Sequence, residues 1–86
     1  MLEEGKCYYN DKLIVKIIHE QINNYHVRGI SIPNKIYYHD AFMRKDVQLI
    51  PLVEYKFNEI INKIRSNYGH LTPKVLDLIN ELIFEI

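Results

Sequence analysis

The chain has 86 residues, eleven acidic and eleven basic, with a single cysteine and no tryptophan. That length holds one domain with a single core, and the charge balance excludes the strong basic excess of domains that hold nucleic acid by neutralising phosphate. Hydrophobic residues make up 48% of the chain, with seven Tyr and three Phe, which excludes a disordered polyampholyte.

Cys7 alone forms no intrachain disulfide and assembles no cysteine-based zinc site. The opening Met-Leu-Glu-Glu is acidic where a secretory signal would be basic, and the apolar run from Leu13 to Ile18 is broken by Lys16. No stretch approaches the roughly 18 apolar residues of a membrane span, so a reducing, cytoplasmic setting is expected. Heavy use of Ile, Asn, Lys and Tyr, with Ala41 the lone alanine, fits an AT-rich genome such as that of a low-GC bacterium, a phage or a mobile element.

Taken in chain order, the run from Asp11 to Tyr25 places Ile14, Val15, Ile18, Ile22 and Tyr25 on one side of a helix at about 100° per residue. Lys12, Lys16, Glu20 and Asn23 fall opposite. A helix is expected, capped by Asn10 or Asp11 and stopped near Gly29. The competing reading is a hairpin that pairs Lys6–Tyr9 with Lys12–Lys16 about an Asn10-Asp11 turn, because Ile14-Val15 also suits a strand.

Between Arg28 and Ile50 the pattern is less regular. Residues 30–38 alternate on both sides of a Pro33-Asn34 turn signal, which suggests a short β-hairpin; the alternative is a helix opened by Pro33 and running through His39, Met43 and Val47.

From Pro51 onward the signal is helical. Val53, Phe57, Ile60, Ile61, Ile64 and Tyr68 share an arc of about 100°, and Gly69 follows their end. Thr72-Pro73 opens a second run, with Thr72 as N-cap and Val75, Leu76, Ile79, Leu82, Ile83 and Ile86 on a matching arc. Asp77, Glu81 and Glu85 line its back. The short connection makes the two helices antiparallel neighbours. The expected fold is a single domain over residues 1–86, mainly α and compact, with a C-terminal αα-hairpin, or α+β if residues 30–38 form a hairpin.

The chemistry-bearing residues give no catalytic, metal or cofactor pattern. On a helix, His19 and His26 stand two turns and about 10 Å apart, too far for one metal held at about 2 Å by each ring. His39-Asp40 resembles the HD dipeptide of metal-dependent phosphohydrolases, but those sites need further ligands from several helices, and a polar turn or hairpin exit is the expected role. Cys7 has no patterned base beside it to make it a nucleophile. No metal, no cofactor and no enzymatic activity are expected.

Two binding readings remain. Tyr55 projects about 160° from the Phe57–Ile64 stripe and Phe84 falls on the polar side of the last helix, so Tyr55 and Phe84 are the candidate partner-binding residues of a small regulator or inhibitor that covers a larger protein. Self-association, as a homodimer, also suits so small a core. The second reading is a nucleic-acid-associated regulator using the basic segment 28–45, where Arg28, Lys35, Arg44 and Lys45 supply charge and Tyr37 and Tyr38 supply stacking rings. A helix-turn-helix is disfavoured, since Asp77, Glu81 and Glu85 would repel phosphates.

Overall fold

The computed structural model describes residues 2–84, and its dominant element is an antiparallel sheet. The strands are β1 (Cys7–Tyr9), β2 (Leu13–Glu20), β3 (Asn24–Ser31), β4 (Ile36–Arg44) and β5 (Ile50–Leu52), followed by helices α1 (Glu54–Ser66) and α2 (Pro73–Ile79) and a π-helical turn over Asn80–Phe84. Sheet order is β4-β3-β2-β1-β5. With 37% strand and 30% helix the domain is α+β or mainly β, which overturns the mainly α expectation.

The main error lies at Asp11–Tyr25. Asn10 accepts two backbone N–H groups through its Oδ1, from Lys12 at 2.8 Å and Leu13 at 2.7 Å, but it does so in a tight turn between β1 and β2. Cys7, Tyr8 and Tyr9 then pair with Lys16, Val15 and Ile14, the competing hairpin. A second hairpin joins β2 to β3, with Ile14 opposite Ile30 and Val15 opposite Gly29. The supposed helix is therefore a strand, a turn and the beginning of another strand. Ile22, assigned to the core stripe, sits in that turn at 91% exposure.

The hairpin suggested at residues 30–38 is present and longer than expected. Ile32–Lys35 form the turn, Lys35 takes a positive φ of 55°, and β3 and β4 stay paired out to Asn24 and Arg44. Gly29 is required where these strands meet β2. A methyl group there would overlap the Ile14 carbonyl oxygen and lie 2.8 Å from Val15 Cα, and interior backbone cannot yield that much room.

Both sheet faces are covered in part. On one face Cys7, Ile14 and Ile30 meet Phe57, Ile60, Ile61 and Ile64 of α1, then Leu71, Val75 and Ile79. On the other, Tyr8, Val15, Ile17, Tyr25, Val27 and Met43 form a second cluster with Leu2, Val47 and Leu49 packed against it. The link from β4 to β5 crosses this second face because its ends lie on opposite edges of the sheet. The Asn10 side-chain amide holds it there by donating to the Gln48 carbonyl at 3.1 Å.

Both C-terminal helices are present, but α2, expected to run to the end of the chain, keeps regular α geometry only to Ile79 and passes into the π-helical turn. Thr72 caps α2, its Oγ1 accepting from the Val75 N–H at 3.3 Å with Pro73 at the first helical position. Gly69 ends the α1 turn with φ +82° and donates its N–H to the Ile64 carbonyl at 2.8 Å. Three details differ. Pro51 belongs to β5, an edge strand where its missing N–H costs no ladder bond. Val53 is the exposed residue preceding α1. Tyr68 takes φ 59° beyond the helix end and is 92% exposed. Glu85 and Ile86 lie outside the described residues. Among the described residues no helix is long and apolar enough to cross a membrane.

Candidate functional site

Sheet order leaves β4 and β5 as the two edges, and exposed apolar side chains gather at each. At the β5 edge Ile50, Val53 and Tyr55 are all more than half exposed. Val53 lines a groove of about 130 Å³ with Tyr9, Pro51, Leu52, Lys56, Leu82 and Ile83, and Ile50 and Tyr55 adjoin its lining residues Pro51 and Lys56 in the chain. Ile50 lies opposite Tyr9 in the β1–β5 pairing, which ties the exposed strip to the groove. Lys56 places one cation at the rim, and Lys16 reaches Glu54 at 3.2 Å nearby.

The two predicted partner-binding aromatics are placed differently. Tyr55 is exposed, as its off-stripe angle requires. Phe84 is half-buried, with its ring edge-on to Tyr9 at 6.0 Å between centroids. The reason is the π-helical turn at Asn80–Phe84. Its i→i+5 bonding widens the turn, so side chains beyond Ile79 leave the angular step of an ordinary helix. Phe84 thus packs against Tyr9, one wall of the groove, while Tyr55 is exposed one residue before the groove-lining Lys56.

At the opposite edge a trough of about 370 Å³ opens on the sheet face away from the helices. Val15, Val27, Ala41 and Met43 line it, Gly29 contributes no side chain to fill it, and Tyr38 and Phe42 stand at its β4 side. Phe42 is 67% exposed.

The basic segment does not form one surface. Arg28 donates from Nε to the His39 carbonyl at 3.4 Å. Arg44 is bonded to Asp46 at 2.7 Å, and Lys45 to Glu20 at 2.9 Å. Lys45 also lies 5.2 Å from the centre of the Tyr25 ring. Tyr37 pairs with Ile30 and Tyr38 with Gly29, so the two rings sit on opposite faces of the sheet and cannot stack together on one run of bases. Lys35 is apart from both, in the β3–β4 turn.

The histidines are closer than helical spacing implies. His19 and His26 are cross-strand partners in β2 and β3, so the two-turn separation does not apply. Each has its own carboxylate: His19 meets Glu4 at 3.0 Å and His26 meets Asp40. Among the described residues, no group of three or more His, Cys, Asp or Glu side chains converges as a metal site.

Cys7 is buried among the apolar side chains beneath α1. Burial pushes its thiol from 9.0 up to about 11; Lys16 opposes that shift and Glu54 adds to it. A thiol so raised is almost wholly protonated at neutral pH and is a poor nucleophile.

No family model, curated protein or solved structure matches this chain.

Proposed function

We propose that this chain is a non-catalytic protein-binding module that regulates or inhibits a larger partner by covering part of its surface. The contact surface is the β5 edge, with Tyr55 at its margin. The observation that carries this reading is the grouping of Ile50, Val53 and Tyr55, all exposed, beside a groove whose apolar walls Leu52, Leu82 and Ile83 are half-buried. Apolar side chains held in water beside a recess gain free energy when a partner covers them, and aromatics are enriched at the energetic centres of such contacts. Phe84 packs edge-on to Tyr9, a wall of the groove, so its truncation acts on the groove through that ring.

The nucleic-acid reading draws less support, because Lys45 lies between Glu20 and the Tyr25 ring and Tyr37 and Tyr38 are divided between faces.

The test is affinity capture from the source cell with immobilised wild-type chain beside Ile50→Ser and Tyr55→Ser variants. A protein retained by wild type and lost from both variants, with unchanged far-UV circular dichroism, is the expected outcome. Capture that is the same for all three chains, or no capture at all, refutes the assignment.

A further inference from the structure

We propose that a second copy of this chain pairs with the first along the free edge of β4, in antiparallel register about a twofold axis through Phe42. This surface lies at the opposite edge of the sheet from β5 and is independent of the partner-binding reading.

β4 has nine residues and a neighbour on one side only, so its outer N–H and C=O groups form a template for another strand. Its first half is guarded by a bulge: Val27 pairs with Ala41 and Gly29 with Tyr38, leaving His39 and Asp40 to share the place opposite Arg28. The second half, Ala41 to Arg44, is regular and carries the exposed Phe42.

Charge selects the occupant. Asp40 reaches His26, Phe42 pairs with His26, and Arg44 pairs with Asn24, so Asp40, Phe42 and Arg44 share one sheet face. Asp40 and Arg44 are equidistant in sequence from Phe42 and opposite in sign. A twofold pairing centred on Phe42 sets Asp40 of each copy against Arg44 of the other and brings the two Phe42 rings together, with Ala41 facing Met43 on the reverse face. Directly opposed residues on antiparallel strands have Cβ atoms roughly 5 Å apart, close enough for both ion pairs. A pairing centred on Asp40 would oppose two carboxylates and set the bulge at its middle, whereas the pairing centred on Phe42 meets the bulge only at its Asp40 end. The strand is therefore complementary to itself in one register. In forming the pair, Arg44 exchanges the solvent-exposed Asp46 for the partner copy's Asp40.

The experiment is sedimentation equilibrium on the full chain, alone and in mixtures. Wild type should show a concentration-dependent monomer–dimer equilibrium. D40R and R44D, each placing like charges opposite at two symmetric positions, should each weaken dimerisation by roughly tenfold or more. An equimolar mixture of D40R and R44D restores both opposite-charge pairs and should associate with near wild-type affinity. The proposal is overturned if wild type is monomeric throughout, if either single variant dimerises as wild type does, or if the mixture gains nothing over its components. Dimerisation lost in Tyr55→Ser and kept in D40R would move the self-contact to the β5 edge and likewise overturn it.

Discussion

Ile14 and Ile22 distinguish the sheet from the helix that the same residues could have formed. An Asp11–Tyr25 helix puts both side chains on one buried stripe. In the sheet, Ile14 is fully buried against the helix layer and Ile22 stands 91% exposed in the β2–β3 turn. Truncating a buried Ile to Ala costs about 2–5 kcal/mol, whereas an exposed substitution stays within about 0.5 kcal/mol. A domain of this size holds roughly 4–13 kcal/mol in total. Ile14→Ala could consume much of that, so Ile14→Val, expected to cost about 0.5–1.5 kcal/mol, provides a readable companion. Urea titrations followed by tyrosine fluorescence should show Ile14→Val lowering the midpoint and Ile22→Ala leaving it unchanged, both with the wild-type slope. Ile17, also fully buried, belongs to the cluster on the opposite face. Three residues of strand separate it from Ile14 by about 10 Å, so the costs of Ile14→Val and Ile17→Val should add to within about 0.5 kcal/mol. An Ile22→Ala cost equal to that of Ile14→Ala, or strong coupling between Ile14 and Ile17, would refute the strand assignment.

Thr72→Ala removes the cap on the Val75 N–H and should cost about 1 kcal/mol, a fall of roughly 4–8 °C in the thermal midpoint; no shift would deny the cap an energetic role. Cys7 should impose a pH dependence, because its folded thiol titrates near 11 and its ordinary value is 9.0. Below the lower value both states are protonated and the stability contribution is complete. As pH rises between the two values the unfolded chain releases the proton first and stability falls, by about 2–3 kcal/mol over the whole interval. Denaturation of wild type and Cys7→Ala from about pH 8 to pH 11 isolates this effect as the difference in slope, and parallel curves would refute it.

The C-terminal helices were legible because their punctuation is local. Thr72-Pro73 and Gly69 act through the backbone at their own positions, whatever packs nearby. β2 was legible only as the competing hairpin, and the helix outweighed it for two physical reasons. The strand is buried on both faces, with Ile14 under the helices and Val15 and Ile17 in the second cluster, so it lacks the alternation of a half-exposed strand. The irregularity between Ile17 and His19 then shifts the residue count, and the resulting Ile-Val-Lys-Ile-Ile spacing matches a helix. Tyr55 could be read as an outward residue because α1 is regular. Phe84 could not be placed, since a π-helical turn carries no recognised signal in these residues. The two edges were also beyond reach. That Ile50 and Phe42 lie at opposite borders follows from β5 returning to β1, a pairing of residues about forty positions apart.

Both proposed binding surfaces require the sheet, so the most direct measurement is a nuclear Overhauser map of the labelled chain in solution. The account predicts cross-strand contacts between Ile14 and Ile30, Val15 and Gly29, and Tyr8 and Pro51. Continuous amide-to-amide contacts running from Asp11 to Tyr25, with those cross-strand contacts missing, would contradict it.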